Sequence, residues 1–234
     1  MRDLGGNVSS SVELGTSGAP RLAVRASIRD QVVTSLRSAI LSGELMAGVT
    51  YSAPVLASRF GVSPTPVREA MLDLISEGLV FVVPNKGYRI TETSAEELQE
   101  LVAIRELLEL PTVASIAETI SPSQVLVLRR SATLLDEAIG SGDVSLTLER
   151  DRQFHRTVVG LSGNARLVEM LDRLWLQMHS GGPTSGRTAA DWERASRDHA
   201  ELLSAFESRD SQRARDIVSR HIRNAFQEHR DLQR

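Results

Sequence analysis

The sequence contains no cysteine, which excludes disulfide bonds and metal sites built on thiolates. Any metal ion must therefore be bound by histidine and carboxylate groups. Long hydrophobic runs are also missing: no segment has the apolar length of a membrane span, and the N-terminus lacks the apolar core of a secretory signal. We therefore expect a soluble, cytoplasmic protein with no membrane partner.

A large excess of charge of either sign is missing too, since the formal net charge is -3. This value argues against a nonspecific polyanion binder, although it is compatible with a small DNA-reading surface. The 234 residues suit two domains of ordinary size, each able to bury a core. Residues 1–24 are rich in glycine and serine without an apolar period, so a disordered tail is expected there.

Hydrophobic spacing over residues 25–92 predicts three helices followed by a β-hairpin. Apolar residues recur every four positions from Ile28 to Ile40, and Gly43 ends the pattern. The other elements are expected, in chain order, as helices at about 53–60 and 64–77 and strands at 79–83 and 88–91. A tight turn at Gly61 between two short helices is typical of a helix-turn-helix, and the hairpin would be its wing.

The exposed face of the second helix of this motif is expected to read DNA. Its N-terminus offers unpaired backbone N–H groups to a phosphate, and Ser63 and Thr65 add hydroxyl groups there. Arg68 carries a guanidinium that can reach a phosphate or a guanine edge. On the wing, Lys86 and Arg89 are candidates for contacts with the adjacent phosphate backbone.

The same pattern is compatible with a helical pair used for protein contact. In that alternative, Arg68 pairs with a nearby carboxylate such as Glu69 or Asp73. The hydrophobic pattern does not separate the two interpretations.

Three segments of this region resemble the winged-helix domain of GntR-family transcription regulators: residues 40–45, 56–71 and 77–80. The match is collinear over about residues 28–91, with the wing turn in the expected place, and it implies a DNA-binding domain. Pro54 and Pro64 depart from the family pattern, because many members carry arginine or another charged residue there. Arg68 is then the principal residue implied to read the operator, with Thr65 beside it.

Residues 93–234 give no further strand signal and predict an all-α bundle of six or seven helices, so the chain as a whole is expected to be mainly α. Six helices are expected at 96–118, 122–139, 143–161, 165–180, 190–207 and 211–230. Capping boxes mark the first two starts, with Ser94 and Glu97 in one and Ser121 and Gln124 in the other.

Two pairs of residues on these helices predict a metal site. Asp151 and His155 are four residues apart and therefore lie on one helix face, which apolar neighbours turn inward. His199 and His221 lie ten and eleven residues on either side of a short turn at about 209–210, so an antiparallel hairpin brings them level. The four side chains can converge in one layer of the bundle.

Three imidazoles and one carboxylate form a ligand set suited to a divalent ion such as Zn²⁺, Ni²⁺ or Mn²⁺. An octahedral metal would keep open positions, to which the carboxylate of a small molecule could bind. The alternative is that each histidine is a hydrogen-bonded core residue without a metal.

This part of the chain resembles the ligand domain, called FCD, of the FadR subgroup of GntR regulators. The resemblance rests on the order of Asp151-Arg152-Gln153-Phe154-His155, Ser162-Gly163-Asn164, His199 and His221. It implies that a metal is held by four residues: Asp151, His155, His199 and His221. Six helices rather than seven place the chain near the shorter, VanR-like branch.

Arg105 matches an arginine of the first helix of that domain and is implied to bind an anionic effector. The alternative is an ion pair with Glu109. Trp175 and Met178 either line the same pocket or belong to the core.

Together these patterns predict a homodimeric, nucleoid-associated transcription regulator that binds a palindromic double-stranded DNA operator and a small carboxylate effector. The resemblance favours a repressor that is released from DNA by its ligand. Two alternatives are a metal-dependent hydrolase in the helical domain and a regulator with a purely structural metal. The hydrolase is disfavoured because the sequence shows no obvious additional general base, His-Glu-x-x-His run or glycine-rich phosphate loop.

Overall fold

The computed structural model describes residues 27–180 and 188–232, with side chains described up to residue 227. The tail expected at residues 1–24 lies outside these ranges. The N-terminal elements are α1 (Ile28–Leu41), β1 (Thr50–Tyr51), α2 (Ala53–Phe60), α3 (Pro64–Ser76), β2 (Val80–Val83) and β3 (Gly87–Ile90). The three helices and the hairpin predicted from the sequence are therefore confirmed.

The wing is a three-stranded antiparallel sheet in the order β1-β3-β2. Val83 lies opposite Gly87 at the hairpin, and Thr50 lies opposite Arg89 on the other side of β3. The sequence does not predict β1, because two residues are too few to show an alternating pattern. Pairing with β1 covers one edge of the hairpin.

The turn between α2 and α3 fixes the direction of the exposed helix. Gly61 ends α2 in the left-handed conformation, with φ of 65°, as the sequence predicts. Ser63 is the N-cap residue of α3, but its side chain makes no capping hydrogen bond. The hydroxyl of Ser63 is therefore not used to cap α3.

The rest of the described chain is helical and contains no strand. Its helices are α4 (Ala95–Thr119), α5 (Pro122–Ser141), α6 (Val144–Gly160), α7 (Ala165–His179), α8 (Ala189–Glu207) and α9 (Ser211–Leu232). Each predicted boundary lies within two residues of the observed one. Both predicted capping boxes form, at Ser94 with Glu97 and at Ser121 with Gln124. No helix of the described residues is long and apolar enough to cross a membrane.

The winged helix and the bundle share one hydrophobic core. Side chains of α1 and α3, such as Leu36 and Leu74, belong to the same buried cluster as four residues of the bundle: Leu148, Trp175, Leu176 and Trp192. A second core, centred on Phe154 and Phe206, lies among α4, α5, α6, α8 and α9. The position of α3 is therefore coupled to the packing of α6 and α7.

A close contact lies where α3 ends. Gly78 has a φ of 79°, and a Cβ atom there would lie 2.2 Å from Nε2 of Gln177 on α7. The backbone oxygen of Gln177 accepts a hydrogen bond of 3.4 Å from the hydroxyl of Thr93, just before α4. The end of α3 and the start of α4 are thus both held against α7.

Leu176→Ala is expected to lower the free energy of unfolding by about 2–5 kcal/mol, because it leaves a cavity in the shared core. Leu176 is 0% exposed, whereas the matched control Leu126 is 67% exposed. Urea unfolding followed by tryptophan fluorescence and by circular dichroism measures the loss. Leu126→Ala should change the free energy by less than about 0.5 kcal/mol. An equally small effect of Leu176→Ala would contradict the shared core.

Candidate functional site

Helix α3 presents a polar face to solvent. Ser63, Thr65 and Arg68 are exposed near its N-terminus, whereas Val67 and Met71 are buried on the opposite face. On the wing, Lys86 and Arg89 are also exposed, one in the hairpin turn and one on β3. The five residues predicted to contact DNA are therefore all exposed to solvent in the N-terminal part of the chain.

Arg68 forms no ion pair within the part of the chain that the structure describes. Asp73, which the protein-contact alternative offered as a partner, instead pairs with Arg29 of α1 at 2.6 Å. Glu69 is exposed and makes no ion pair with Arg68 there either. The guanidinium of Arg68 is thus available to an external anion, which favours the DNA interpretation.

The four residues predicted to bind metal converge inside the bundle. Each offers one ligand atom, and these atoms all lie within 4.8 Å of one another: Asp151 and His155 from α6, His199 from α8 and His221 from α9. Nε2 of His155 and Nε2 of His221 are 3.2 Å apart. Oδ1 of Asp151 lies 3.8 Å from Nε2 of His155 and 3.7 Å from Nε2 of His199.

The helix geometry explains this convergence. The four-residue spacing places His155 one turn beyond Asp151, and Phe154 lies beside the cluster with its ring 4.2 Å from the ring of His199. The α8–α9 hairpin brings the rings of His199 and His221 to a centroid distance of 4.8 Å, as their spacing from the turn predicts. Asp151 is only 2% exposed. The cluster is therefore almost sealed from water.

Burial also controls protonation in the cluster. Burial, together with the nearby rings of His221 and His199, holds the pKa of His155 well below its usual value of 6.5. At neutral pH this imidazole is therefore neutral, which is the form that coordinates a metal.

Asp198 is a residue that the sequence does not single out. Its Oδ2 lies 3.4 Å from Nδ1 of His221, and its Oδ1 accepts hydrogen bonds of 3.0 and 2.6 Å from Arg220. Burial alone would raise the pKa of Asp198, but the nearby imidazole of His221 and the hydrogen bonds from Arg220 outweigh it and lower the pKa. Asp198 thus lies beside Nδ1 of His221, while Nε2 of the same ring faces the cluster.

This donor set fits a divalent metal. Three imidazole nitrogens and one carboxylate oxygen are a set used for Zn²⁺, Ni²⁺ and Mn²⁺ in proteins, and Asp198 is the outer carboxylate that often orients a ligating histidine. Two Nε2 atoms that face each other at 3.2 Å can share only one proton, whereas a metal accepts both lone pairs. The chemistry of the donor atoms and the distances between them therefore both suit a bound divalent ion.

Arg105 is buried and its Nε donates to Glu109 at 2.6 Å, so the ion pair expected as the alternative is present. Its Nη1 lies 3.1 Å from the sulfur of Met178. Arg105, His155 and Trp175 also line a narrow cavity between α4, α6 and α7. Both interpretations of Arg105 are therefore compatible with its position, since the pair itself lies in the wall of a cavity.

A second narrow cavity adjoins the first and is lined by His155, His199 and His221. Glu109 and Val159 line both spaces. The two spaces therefore meet at the ring of His155.

Comparison with protein families covers both parts of the chain. Residues 28–90 match the bacterial regulatory proteins of the gntR family, and residues 100–224 match the FCD domain. The chain belongs to the GntR family. Its FCD domain places it in the FadR subgroup, as the sequence pattern predicts. The bundle has six helices within the described residues, and the VanR-like branch stays a prediction.

Individual relatives agree with this family. The HTH-type transcriptional regulator McbR of Escherichia coli K12 is 32% identical over 151 residues, which are 64% of this chain and 68% of McbR. The HTH-type transcriptional repressor RspR of the same organism is 22% identical over 205 residues, 88% of this chain and 90% of RspR. Both are named as regulators, and neither name specifies an effector.

Solved structures of other proteins have the same fold as this GntR chain. E. coli McbR/YncC has a TM-score of 0.76 at 26% identity, covering 90% of this chain and 100% of that one. A GntR transcriptional regulator from Rhodococcus sp. RHA1 has a TM-score of 0.71 at 23% identity, covering 88% and 99%. These relatives are DNA-binding transcription regulators and not enzymes, so the hydrolase alternative is set aside.

The metal-free protein is expected to lose stability as the pH falls below about 6.5. The pKa of His155 is lowered in the folded state, so the unfolded chain binds this proton more tightly. The contribution of neutral His155 is complete above the unfolded pKa and is lost below it. Urea unfolding between pH 8 and pH 5 should show a smaller decline for His155→Gln than for the wild type. Equal declines in both would contradict this assignment.

Proposed function

We propose that this GntR regulator is a metal-dependent repressor that binds a palindromic operator as a homodimer and is released by a small carboxylate effector. The observation that carries the proposal is the convergence of three imidazoles and one carboxylate within 4.8 Å, in a bundle that shares a core with the DNA-reading unit. The bundle that would bind the effector is thus packed against the helix that would bind DNA.

In this proposal, Asp151, His155, His199 and His221 hold the ion, and Asp198 orients His221. A divalent ion bound there supplies open positions that attract a carboxylate. Zn²⁺, Ni²⁺ and Mn²⁺ all suit this set of nitrogen and oxygen donors. The chain itself supplies the neutral imidazole of His155 and buried surroundings, in which an interaction with an anion is stronger than in water.

Arg105 supports an acidic effector. Its guanidinium lies in the wall of the cavity that includes His155, and Glu109 holds it there. An anion that enters would share this arginine with Glu109. Such an exchange can move α4 relative to α6 and α7, because all three helices line the cavity.

Hydrophobic packing connects the cavity to α3, the helix proposed to bind DNA. Trp175 lines the cavity and also belongs to the hydrophobic core that contains Leu74 of α3. A ligand that shifts Trp175 changes the support of the reading helix. In a homodimer, this alters the distance between two α3 helices, which must match the half-site spacing of the operator.

The second candidate is a regulator whose metal is purely structural. The depth of the cluster favours it, since Asp151 and His199 are each only 2% exposed and an ion would stabilise them in the bundle. The two candidates predict different effects on the fold and on the effector response when the metal is removed by chelation.

Metal analysis of protein purified without chelator is expected to find one divalent ion per chain. His199→Gln and His221→Gln should abolish binding, whereas the control His179→Gln should retain it, because His179 bonds to the backbone oxygen of Trp175 and lies outside the cluster. After chelation, a sensory ion predicts retained helicity and lost effector response. Unfolding on chelation would support the structural metal instead.

Arg68→Ala is expected to weaken operator binding about tenfold or more, because it removes a charged contact to a base edge or a phosphate. The matched control is Arg130→Ala on the exposed face of α5. Fluorescence anisotropy with an operator obtained by in vitro selection measures the affinity at fixed salt. Unchanged binding by Arg68→Ala would exclude Arg68 from the interface and so contradict the proposed reading face.

A further inference from the structure

The linker between the winged helix and the bundle, residues 91–94, is attached to elements on both sides. The hydroxyl of Thr91 donates a hydrogen bond of 2.8 Å to the backbone oxygen of Gly78, just after α3. Thr93 is 5% exposed, and its hydroxyl donates to the backbone oxygen of Gln177. Because the last carbonyls of a helix lack partners within it, Thr93 also helps to cap α7. The two parts are therefore not joined by a free tether.

The side chain of Gln177 closes a ring of contacts at this place. It lies so near Gly78 that a Cβ atom there would be 2.2 Å from its Nε2 and 3.4 Å from its Cγ. We call Gly78, Thr91, Thr93 and Gln177 the junction residues. Hydrogen bonds and close steric contacts both depend on orientation, so the junction residues restrict the angle of α3 relative to α7.

The apolar contacts between the two parts depend less on this angle. Leu74 of α3 belongs to the same buried cluster as Trp175 and Leu176 of α7. Hydrophobic burial is non-directional and scales with the apolar area removed from water. The shared core therefore explains why the two parts stay together, but burial of its area does not by itself select one angle.

The junction residues lie at one end of α3, and the end predicted to read DNA is the other. Thr65 precedes Gly78 by thirteen positions. This corresponds to about 18–20 Å at the helical rise of about 1.5 Å per residue. A rotation of about 10° at Gly78 therefore moves Thr65 by about 3 Å, close to the rise of about 3.4 Å per base pair. A small change at the junction residues is enough to move the reading end by about one base-pair step.

We propose that Thr93 and Gln177 are positioning residues that set the half-site spacing of the operator. In a two-fold dimer, the angle of each α3 on its own bundle determines the distance between the two reading ends. A fixed angle allows both half-sites to be bound only at one spacing, whereas a loosened angle accepts several. The inference rests on the proposed binding of a palindromic operator by a homodimer, and it does not depend on the metal.

Operators of different spacing test this assignment. Fluorescence anisotropy at fixed salt measures binding of the full-length protein to an operator obtained by in vitro selection, to the same operator with a spacer one base pair longer or shorter, and to a single half-site. One base pair moves a half-site by about 3.4 Å and rotates it by about 35°. The wild type should bind the selected spacing at least about tenfold more tightly than either altered one, because a wrong spacing prevents simultaneous binding of both half-sites.

The double variant Thr93→Val/Gln177→Ala removes the hydroxyl and most of the side chain at the junction. It should reduce the spacing preference to about threefold or less, while half-site binding stays within about twofold of the wild type because the reading face is unchanged. Thr93→Ser/Gln177→Met keeps a hydroxyl and a side chain of similar length, and should retain the preference. The matched control Thr133→Val/Gln153→Ala makes the same two changes at exposed positions of α5 and α6 and should also retain it.

The outcomes separate this inference from the proposed function. A preference that the wild type lacks, that Thr93→Val/Gln177→Ala leaves unchanged, or that Thr93→Ser/Gln177→Met also loses would overturn the assignment of the junction residues alone. So would a parallel loss of half-site and full-operator binding in Thr93→Val/Gln177→Ala, which is the result of a merely structural role. Equal affinity of the wild type for the half-site and the full operator would overturn the proposed dimeric binding together with this inference.

Discussion

The carboxylate of Asp151 lies in the apolar interior of a helical bundle, where a charge without compensation is costly. Three imidazoles surround it, and burial holds the pKa of one of them, His155, well below its usual value, so this ring does not neutralise the carboxylate as a cation near neutral pH. Much of the surrounding structure follows from this constraint. Helix α6 supplies the carboxylate and one ring, the α8–α9 hairpin supplies the others, and Asp198 sets the orientation of His221.

The helices are well predicted because their signals are local. Ser94 and Ser121 begin capping boxes that need only four consecutive residues, and Gly61 adopts the left-handed conformation that its place between two apolar patterns indicates. β1 could not be predicted, because Thr50 and Tyr51 form a strand only by pairing with β3. The core shared between the winged helix and the bundle could not be predicted either, since the helical spacing of Trp175 does not show which other helices it packs against.

The metal cluster could be predicted because regular helix geometry relates its members. A four-residue spacing and a symmetric placement about one turn are sufficient to bring four side chains into one layer. The cavity beside it could not be predicted. Arg156 and Asp172 look like solvent-exposed charges on two separate helices, and only the packing of α6 against α7 brings them together. The pairing of Arg105 with Glu109 could be predicted as the alternative for Arg105, because the two residues are one helical turn apart. The burial of this pair could not be predicted.

The contact between Gly78 and Gln177 has a consequence for building chimeric regulators from this family. Position 78 combines a positive φ with the amide of Gln177 where a Cβ atom would lie, so a side chain there requires both backbone strain and a shift of the Gln177 side chain. The DNA-binding unit is therefore not a freely interchangeable module. A transplanted winged helix would need a glycine at this position and a bundle whose α7 presents a compatible surface, so recombination between relatives is restricted at this junction.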